Sequence, residues 1–250
     1  MNPVTCPICE STCAVLDVVD FNKSCEEVRG KFLPVAGLPV HYYLCDNCGF
    51  CLAPEFSQWT LEDFERRIYN ADYVNVDPDY LGDRPRANAS GLINLFGEHS
   101  RTIRHIDYGG GNGSLSEILR ETGWNSVSYD PFVNRNVHIE SMGRFDLITA
   151  YEVFEHVPDV KQLMSNLSSL LASDGVVLFS TLLTDGNIGP RQPLSWWYAS
   201  PRNGHISLFS DKSLVLLAAK HGLKFGSFDQ GLHVFWYKAP PWAQKFLKDS

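Results

Sequence analysis

The sequence predicts an α/β protein with a mostly parallel sheet, preceded by a small cysteine-rich β unit. Two observations predict the larger part: strand-like and helix-like segments alternate from position 101 onward, and a glycine-rich turn joins the first of those strands to its helix. Alternating β and α segments form a parallel sheet covered on both faces. The smaller part is predicted by the cysteines, since all seven lie between positions 6 and 51. We expect three segments: 1–54, a metal-binding unit; 55–100, a helical linker or lid; and 101–250, the sheet domain.

Composition and charge narrow the classes of partner. The chain has 250 residues, 44% of them hydrophobic, enough for a sizeable core. Its net charge is −8 and its pI about 5.4, which makes nucleic acid an improbable partner. The N-terminal MNPVTCPICE lacks the basic and apolar regions of a signal peptide, and no apolar run is long enough to span a bilayer. We expect a cytoplasmic protein without a membrane partner; the oligomeric state is not predicted.

Two cysteine pairs predict a structural zinc site. Cys6-Pro-Ile-Cys9 and Cys45-Asp-Asn-Cys48 each have the two-residue gap that lets both sulfurs face one ion from a tight turn. Gly49 suits the positive φ that such a turn often requires. Short β segments between the pairs indicate a zinc-ribbon-like hairpin, whose small size makes the ion a source of folding energy.

The second pair has an alternative, because Cys48-Gly-Phe-Cys51 is also a CxxC sequence. Gly49 favours Cys45 with Cys48, and Cys13 and Cys25 are interpreted as small buried residues or spare thiols. Residues 1–55 carry seven acids and three bases, a net charge of −4, which disfavours contact with a phosphate backbone.

The segment 55–100 combines helix signals with a tyrosine-rich stretch. Thr60 and Asp63 form a predicted capping box that opens a helix to about Tyr69, and a second helix is predicted over Ser90–Gly97. Between them, Tyr, Asp and Pro residues are typical of loops. This stretch is either a solvated linker or a lid whose tyrosines pack on a bound ligand: Tyr69, Tyr73 or Tyr80.

The sheet domain is predicted to contain four strands, three helices and a closing hairpin. The strands are expected over 103–108, 126–130, 145–151 and 176–183, and the helices over 113–122, 160–171 and 210–221. Ser173-Asp-Gly175 is predicted as a turn and Gly222 as a helix stop. The segments LKFGSFDQ and HVFWYK are expected to pair as antiparallel strands.

The glycine-rich turn predicts a site for an adenosine-bearing cofactor. Gly109, Gly111 and Gly113 let the backbone approach a ligand, and the helix behind them presents free N–H groups. Asp130 ends the next strand, where an acid can accept both ribose hydroxyls. The alternative, a nicotinamide-binding turn, has two residues before its last glycine, whereas these glycines are separated by single residues.

The sequence resembles class I S-adenosylmethionine-dependent methyltransferases in several motifs. Asp107-Tyr-Gly-Gly-Gly-Asn-Gly113 resembles their glycine loop, FDLITAYEVFEHVPD their fourth-strand motif, and ASDGVVLFST their fifth strand. The resemblance implies a Rossmann-like, seven-stranded sheet, mostly parallel with the last strand antiparallel.

The resemblance also implies a cofactor site. The glycine loop would pass close to the methionine part of S-adenosylmethionine with Asp107 nearby, and Asp130 would bind the ribose. The adenine side would be shaped by Tyr129 and Pro131, and Tyr73 would belong to the lid. Only fifteen residues separate Asp130 from Asp146, so the third strand is shortened; its adenine-binding acid has only two possible substitutes, Glu140 and Ser141.

Two narrower groups share the arrangement of a zinc unit with a methyltransferase domain. One comprises deoxysugar C-methyltransferases and the other ribosomal RNA methyltransferases with a zinc ribbon. The acidic charge of residues 1–55 counts against the second.

The acceptor is predicted to be a small molecule with a reactive oxygen or carbon. The fourth-strand motif lacks the Asn/Asp-Pro-Pro-aromatic sequence of enzymes that methylate planar amino nitrogens. If a base is needed, the candidates are Tyr151, Glu152, Glu155, His156 and His205. We favour His205, because Gly204 allows close approach and three aromatic residues form an apolar wall: Trp196, Trp197 and Tyr198. The alternative function is a zinc-ribbon binding module that recruits a protein or RNA partner, including an RNA methyltransferase.

Overall fold

A computed structural model describes residues 4–80 and 82–247. The strands within these residues are β1 Val4–Thr5, β2 Thr12–Asp20, β3 Pro39–Cys45, β4 Cys51–Leu52, β5 Arg104–Tyr108, β6 Asn125–Tyr129, β7 Phe145–Tyr151, β8 Leu171–Ser180, β9 Ser207–Leu208, β10 Lys224–Ser227 and β11 Leu232–Trp236. The α-helices are α1 Leu61–Arg67, α2 Asp83–Phe96, α3 Ser114–Glu121, α4 Val160–Leu170 and α5 Asp211–Lys220.

The chain divides into two compact units, each built from several stretches of sequence. Unit 1 comprises Met1–Pro78, Phe154–Lys161 and Thr181–Leu217, and unit 2 comprises Asp79–Val153, Gln162–Ser180 and Ala218–Ser250. This grouping by compactness differs from the three segments expected from the sequence. The assignment of a separate role to each of those segments remains a prediction.

Unit 2 contains a six-stranded sheet in the order β10-β11-β8-β7-β5-β6. Strands β6, β5, β7 and β8 are parallel, whereas β11 runs antiparallel to both β8 and β10. The antiparallel closing strand is therefore confirmed. The sheet has six strands within the described residues, so the predicted count of seven is wrong for this part of the chain.

The missing strand has a simple cause in chain length. Residues 131–144 form turns and one short 3-10 helix, Ile139–Met142, between β6 and β7. An additional parallel strand would need its own residues and a crossover of a dozen or more residues both before and after it, so this link is too short to add a strand beside β6. Val127 of β6 is accordingly 37% exposed at the sheet edge.

The core of unit 2 lies between the sheet and its helices. Helix α4 buries the leucines predicted for one face, at positions 163, 167 and 170, and α2 packs Leu92 and Phe96 into the same apolar cluster as Trp124 and Leu147. The predicted turn at Ser173–Gly175 is instead an irregularity inside β8. There Phe145 pairs with Leu171, and Leu147 pairs with Val176.

Unit 1 contains a small sheet in the order β1-β2-β3-β4-β9. Its centre is the antiparallel pair β2–β3, which carries a bulge between Val15 and Asp17. Strand β9 pairs with β4 through Cys51–Leu208 and Leu52–Ser207. Residues about 155 positions apart in the sequence thus belong to one sheet, which the sequence motifs did not indicate.

The segment predicted as a lid contains more helix than expected. The capping box is confirmed, since Thr60 Oγ1 accepts a hydrogen bond from the Asp63 N–H at 3.2 Å. Helix α2 begins at Asp83, seven residues before the predicted start at Ser90. Pro85 is tolerated there because the N–H groups of the first helical turn have no intrahelical partner.

None of the helices between residues 4 and 247, residue 81 aside, is long and apolar enough to cross a membrane.

Candidate functional site

The glycine loop lies at the carboxyl ends of β5 and β6 in unit 2. Tyr129 O accepts hydrogen bonds from the N–H groups of Gly109 and Gly110, at 2.7 and 3.3 Å. Gly109, Gly111 and Gly113 all have positive φ, between 53° and 82°. A Cβ on Gly109 would lie 2.5 Å from Val153, whereas one on Gly111 would meet no described atom within 4 Å. The loop therefore packs on the protein at Gly109 and is open at Gly111.

Gly110 and Ser128 are two site residues that the sequence prediction omitted. A Cβ on Gly110 would lie 2.4 Å from both Asp107 Oδ2 and Ser128 Oγ. The Ser128 hydroxyl is buried and has no hydrogen-bond partner among the residues described. A buried hydroxyl of this kind calls for a partner, which a bound ligand can supply. The signal for Gly110 in the sequence was its position in the middle of three consecutive glycines.

Asp130 is held in place by backbone groups. Its Oδ2 accepts a hydrogen bond from the Gly111 N–H at 2.9 Å, and its Oδ1 accepts one from the Phe132 N–H at 2.8 Å. Each carboxylate oxygen has two lone pairs, so both can accept a further hydrogen bond. The side chain is fixed at the position where a carboxylate can accept two neighbouring hydroxyl groups.

Asp107 lies beneath the glycine loop at the end of β5. Burial raises its pKa to about 7, and the nearby charge of Asp130 acts in the same direction. The Thr149 hydroxyl opposes this shift by donating a hydrogen bond to Asp107 Oδ1 at 2.7 Å. A carboxyl group with a pKa near 7 can become fully ionised when a cationic ligand binds beside it.

Tyr129, which is predicted to shape the adenine side of the site, ends β6. Burial raises the pKa of Tyr129, followed by the charges of Asp130 and Glu140. The charge of Glu140 thus acts on the Tyr129 hydroxyl, whereas the Ser141 hydroxyl donates to His138 O at 2.7 Å. Of the two possible substitutes for the missing acid, Glu140 is the one whose charge acts on Tyr129.

Tyr151 and Glu152 lie beside the glycine loop at the end of β7. Glu152 has a φ of 54°, unusual for a residue other than glycine, and such conformations cluster at functional sites. Ser180 Oγ accepts from the Glu152 N–H at 2.8 Å and donates to Glu152 Oε1 at 2.7 Å, which fixes the side chain. Burial and the charge of Asp107 raise the pKa of Tyr151, so its hydroxyl stays protonated at neutral pH.

In unit 1, the four cysteines predicted as metal ligands form one cluster. The sulfurs of Cys6, Cys9, Cys45 and Cys48 all lie within 4.8 Å of one another. The Cys6–Cys48 and Cys9–Cys45 sulfur pairs are 3.6 and 3.3 Å apart. In a tetrahedral site with Zn–S bonds of about 2.3 Å, the sulfurs are separated by about 3.8 Å, so the cluster fits a zinc ion.

The two cysteine turns have the same backbone pattern. In the first, Cys6 N–H donates to Ser11 O and Glu10 N–H donates to Cys6 O; in the second, Cys45 N–H donates to Phe50 O and Gly49 N–H donates to Cys45 O. Glu10 and Gly49 occupy the equivalent positions, with φ of 65° and 73°. The two turns therefore share one backbone geometry and bring their four sulfurs into one cluster.

The other three cysteines lie outside the four-sulfur cluster. Cys51 is fully buried and is paired with Leu208 across β4 and β9, so the alternative pair 48/51 is not the one assembled here. Cys13 is the strand partner of Cys45 across β2 and β3. A hydrogen bond with Cys6, together with burial, raises the pKa of the Cys13 thiol. Cys25 is part-buried, with its sulfur 3.8 Å from His205 Nδ1.

His156 and His205, two of the candidate bases, lie together in unit 1. Their rings are 4.8 Å apart. His205 Nδ1 lies 2.7 Å from Tyr198 O, which can only accept, so Nδ1 carries the proton and the lone pair is on Nε2. His156 Nδ1 lies 3.1 Å from the Tyr69 hydroxyl. Together with buried Glu155, these histidines form a second group of possible metal ligands within 4.8 Å.

The aromatic wall predicted around His205 is present in unit 1. The Tyr198 ring lies 4.2 Å from the His205 ring, and the Trp196 ring lies 5.1 Å from that of Tyr198. Tyr73 also belongs to this unit: its hydroxyl donates to Asn203 O at 3.4 Å, and its ring contacts Tyr69. The candidate residues thus fall into two sets, Tyr151 and Glu152 beside the glycine loop and the two histidines in unit 1.

The family model described as a methyltransferase domain matches residues 80–226. The chain belongs to this family, and its glycine loop and sheet are those of class I S-adenosylmethionine-dependent methyltransferases.

Individual relatives cover less of the chain. Ubiquinone biosynthesis O-methyltransferase from Colwellia psychrerythraea is 31% identical over 100 residues, which is 31% of this chain and 41% of the relative. The enzyme of the same description from Actinobacillus pleuropneumoniae is 31% identical over 115 residues, covering 35% of this chain and 47% of the relative. The match thus spans less than half the length of these curated relatives.

Among solved structures, the plantazolicin methyltransferase BpumL aligns with a TM-score of 0.50 at 12% identity. The alignment covers 75% of this chain and 96% of that chain. At this identity the similarity concerns the fold.

Proposed function

We propose that this protein transfers the methyl group of S-adenosylmethionine to an oxygen of a small-molecule acceptor. The main observation that supports this proposal is that Asp107, the glycine loop and Asp130 lie together at the carboxyl ends of β5 and β6. The ligand of an α/β sheet binds at this edge. Its ribose hydroxyls match the fixed carboxylate of Asp130, and its cationic amino group matches Asp107.

Oxygen is the preferred acceptor atom for two reasons. The fourth-strand motif lacks the signature for planar amino nitrogens, and the matched relatives are described as O-methyltransferases. The aromatic residues beside His205 suit a flat acceptor such as a phenol, because aromatic faces stack on one another. Since the match covers less than half of those relatives, the acceptor is identified only by this chemistry.

Methyl transfer from a sulfonium is an in-line displacement, so most of the catalysis is alignment of the two substrates. A hydroxyl acceptor must also lose its proton. We assign this to His205, because its Nδ1 donates to Tyr198 O, which makes Nε2 the basic nitrogen of the ring. Tyr151, Glu152 and His156 remain alternative candidates.

Glu155, His156 and His205 offer a second way to activate a hydroxyl, since they can also hold a divalent cation. A bound cation lowers the pKa of a coordinated hydroxyl, whereas a histidine base needs no metal. Titrating a metal-free sample with Mg²⁺, Mn²⁺ or Co²⁺ separates the two chemistries. Activity without added cation supports the base, and activity that requires one supports the metal.

The primary test is calorimetry with S-adenosylhomocysteine. We expect micromolar binding, and we expect Asp130→Ala to weaken it by about tenfold to a hundredfold because two hydrogen bonds to a charged group are lost. Glu121→Ala, on the exposed end of α3, is the matched control and should bind normally. The absence of any binding by the unaltered protein would contradict the proposal and favour the binding-module alternative.

The acceptor class is tested by incubating the protein with S-adenosylmethionine and a panel of phenols, aliphatic alcohols and carbon acids. Formation of S-adenosylhomocysteine with the phenols supports an oxygen acceptor. Activity confined to the carbon acids would move the assignment to C-methylation.

We further propose that Cys6, Cys9, Cys45 and Cys48 hold a structural zinc ion. All four sulfurs belong to the tight cluster described above, and thiolates are preferred zinc ligands. Elemental analysis should find about one zinc per chain, and Cys9→Ser should lose it, whereas Cys25→Ser should retain it. A protein that folds with no zinc would contradict this assignment.

A further inference from the structure

A chain of four buried polar side chains crosses the middle of the unit 2 sheet and ends on Asp107. His105 and Asp107 lie on the same face of β5, because side chains two residues apart in a strand point the same way. Ser126 is paired with His105 from β6, and Thr149 is paired with Asp107 from β7. The consecutive donor–acceptor distances are 2.7 Å from Ser126 Oγ to His105 Nδ1, 2.9 Å from His105 Nε2 to Thr149 Oγ1, and 2.7 Å from Thr149 Oγ1 to Asp107 Oδ1.

Burial of these four polar side chains has a cost in free energy unless each is hydrogen-bonded. All four are buried, with His105 and Thr149 fully inaccessible. The strands of a parallel sheet are normally apolar on both faces, and a buried polar group is tolerated only when it is hydrogen-bonded. A complete, consecutive set of bonds at this depth is therefore a specific feature that simple core packing does not require.

The direction of the hydrogen bonds follows from the chemistry of their last member. An ionised Asp107 can only accept, so the Thr149 hydroxyl donates its single proton to it. Thr149 Oγ1 must then accept from His105, which places the ring proton on Nε2. His105 Nδ1 consequently accepts from the Ser126 hydroxyl. Burial lowers the pKa of His105 to about 3, so the ring stays neutral.

Protonation of Asp107 on Oδ1, the oxygen that faces Thr149, reverses the direction of all three hydrogen bonds. A protonated Asp107 can donate to Thr149 Oγ1, which turns the Thr149 hydroxyl toward His105 Nε2. That nitrogen must then accept, so the ring proton resides on Nδ1 and faces Ser126. One proton is added at Asp107, and the ring proton changes nitrogen. The tautomer of His105 thus reports the charge of Asp107.

We propose that Ser126, His105 and Thr149 are positioning residues that stabilise the anionic form of Asp107 and couple cofactor binding to pH. This inference rests on the proposed function, in which the amino group of the cofactor lies beside Asp107. The relay acts through Asp107, and its own three members make no contact with the reacting atoms.

The groups that face the relay set the direction of the pH dependence. Asp130 and burial both favour the neutral form of Asp107. Tyr151, at the end of β7, feels the charge of Asp107 but stays protonated. The Arg120 guanidinium of α3 donates to Ser126 O at 3.2 Å, at the far end of the relay. In the free protein, Asp107 is therefore neutral below a pH of about 7 and ionised above it.

Binding of a cationic amino group requires the ionised form of Asp107. Affinity for S-adenosylhomocysteine should therefore rise with pH and level off once Asp107 is ionised, and the midpoint of this rise should lie near pH 7. Thr149→Val removes the donor that stabilises the carboxylate. Because hydrogen bonds to charged groups contribute about 1.5–3 kcal/mol, the midpoint should move up by about one pH unit or more. Thr149→Ser keeps the hydroxyl and should keep the midpoint.

His105→Phe should shift the midpoint in the same direction, because Thr149 then loses the donor that polarises it. His233→Phe is the matched control. His233 is also fully buried in this sheet, and its Nδ1 lies 2.8 Å from Ser227 Oγ, at an edge of the sheet away from β5. The His233→Phe variant should lose stability as His105→Phe does, but the pH midpoint of its binding should be unchanged.

The test combines calorimetry with S-adenosylhomocysteine between pH 5.5 and 8.5 with nitrogen NMR of the unaltered protein. The spectrum of His105, identified by its loss in His105→Gln, should show the Nε2–H tautomer in the complex and the Nδ1–H tautomer in the free protein at pH 5.5. An unchanged midpoint in Thr149→Val, or one tautomer under both conditions, would overturn the relay. The absence of binding at every pH would instead overturn the proposed function.

Discussion

The two units of this protein are assembled from sequence in different ways. In unit 2, the residues proposed to bind the cofactor are Asp107, the glycine loop and Asp130. They lie within 24 consecutive residues and are positioned by neighbouring strands. In unit 1, the two cysteine turns are separated by 36 positions between Cys9 and Cys45. Strand β9, which begins at Ser207, belongs to the same sheet as these turns. A local motif needs only its own strand–turn–helix geometry, whereas a dispersed one needs many long-range contacts to form. We therefore expect the stability of unit 1 to depend on the proposed zinc ion and on a few long-range bonds, and that of unit 2 to depend on close packing at the glycine loop.

Removal of zinc should produce the largest difference in stability between the two units. A structural zinc contributes about 10 kcal/mol or more to a small domain, so a chelator or Cys45→Ser should abolish hydrogen-exchange protection of β2 and β3. Protection of β5 and β7 should be lost later or to a smaller extent. Equal, simultaneous loss in both sheets would mean that the units do not differ in this way. Cys25→Ser is the control that keeps the four-sulfur cluster.

Gly110→Ala should be strongly damaging to the glycine loop. The new methyl group would lie 2.4 Å from Asp107 Oδ2 and Ser128 Oγ, and overpacking of a buried site costs about 1–3 kcal/mol. Displacement of Asp107 should also weaken binding of S-adenosylhomocysteine. Gly91→Ala, on an exposed face of α2 with open space around it, should instead stabilise by up to about 1 kcal/mol. Thermal denaturation of both variants measures the contrast.

Lys23→Met tests a long-range bond within unit 1. The Lys23 ammonium group donates to Trp196 O at 2.8 Å and to Ala199 O at 2.9 Å, and burial lowers its pKa. Methionine keeps the apolar stem but leaves both carbonyls without this donor, which should cost about 2 kcal/mol. Hydrogen exchange at residues 196–203 should accelerate, while exposed Lys161→Met should have no effect. Unchanged exchange in Lys23→Met would show that this contact does not stabilise the segment.

Glu10→Gly should produce the smallest effect, in the stabilising direction. Glu10 has a φ of 65° in the first cysteine turn, where glycine avoids the clash of a side chain. The gain should be about 0.5–1 kcal/mol, since relief of the backbone is partly offset by the greater freedom of glycine in the unfolded chain. Gly49→Ala is the reciprocal change and should destabilise, because its Cβ would also approach Ser210 to 3.0 Å. Chemical denaturation with zinc bound compares the pair.

The sequence by itself determined the features that depend on local geometry. Single-residue spacing of the glycines, the Thr60–Asp63 capping box and the two CxxC pairs each specify a turn through their own residues, and these predictions agree with the structure. Alternating strand and helix periods predicted the parallel strands, and the closing hairpin predicted the antiparallel strand. The short link after Asp130 already indicated a reduced third strand, although the count of seven followed the family and not this chain.

Tertiary structure alone decided which distant residues meet. It placed β9 in the cysteine-bearing sheet and brought the rings of His156 and His205 together. The two histidines are 49 positions apart in the sequence, so neither segment carries a local signal of their contact. It also revealed Gly110, Ser128 and the relay from Ser126 to Asp107. Polar residues inside otherwise apolar strands are visible in the sequence, but their hydrogen-bond partners depend on strand order and register, which only the folded sheet defines.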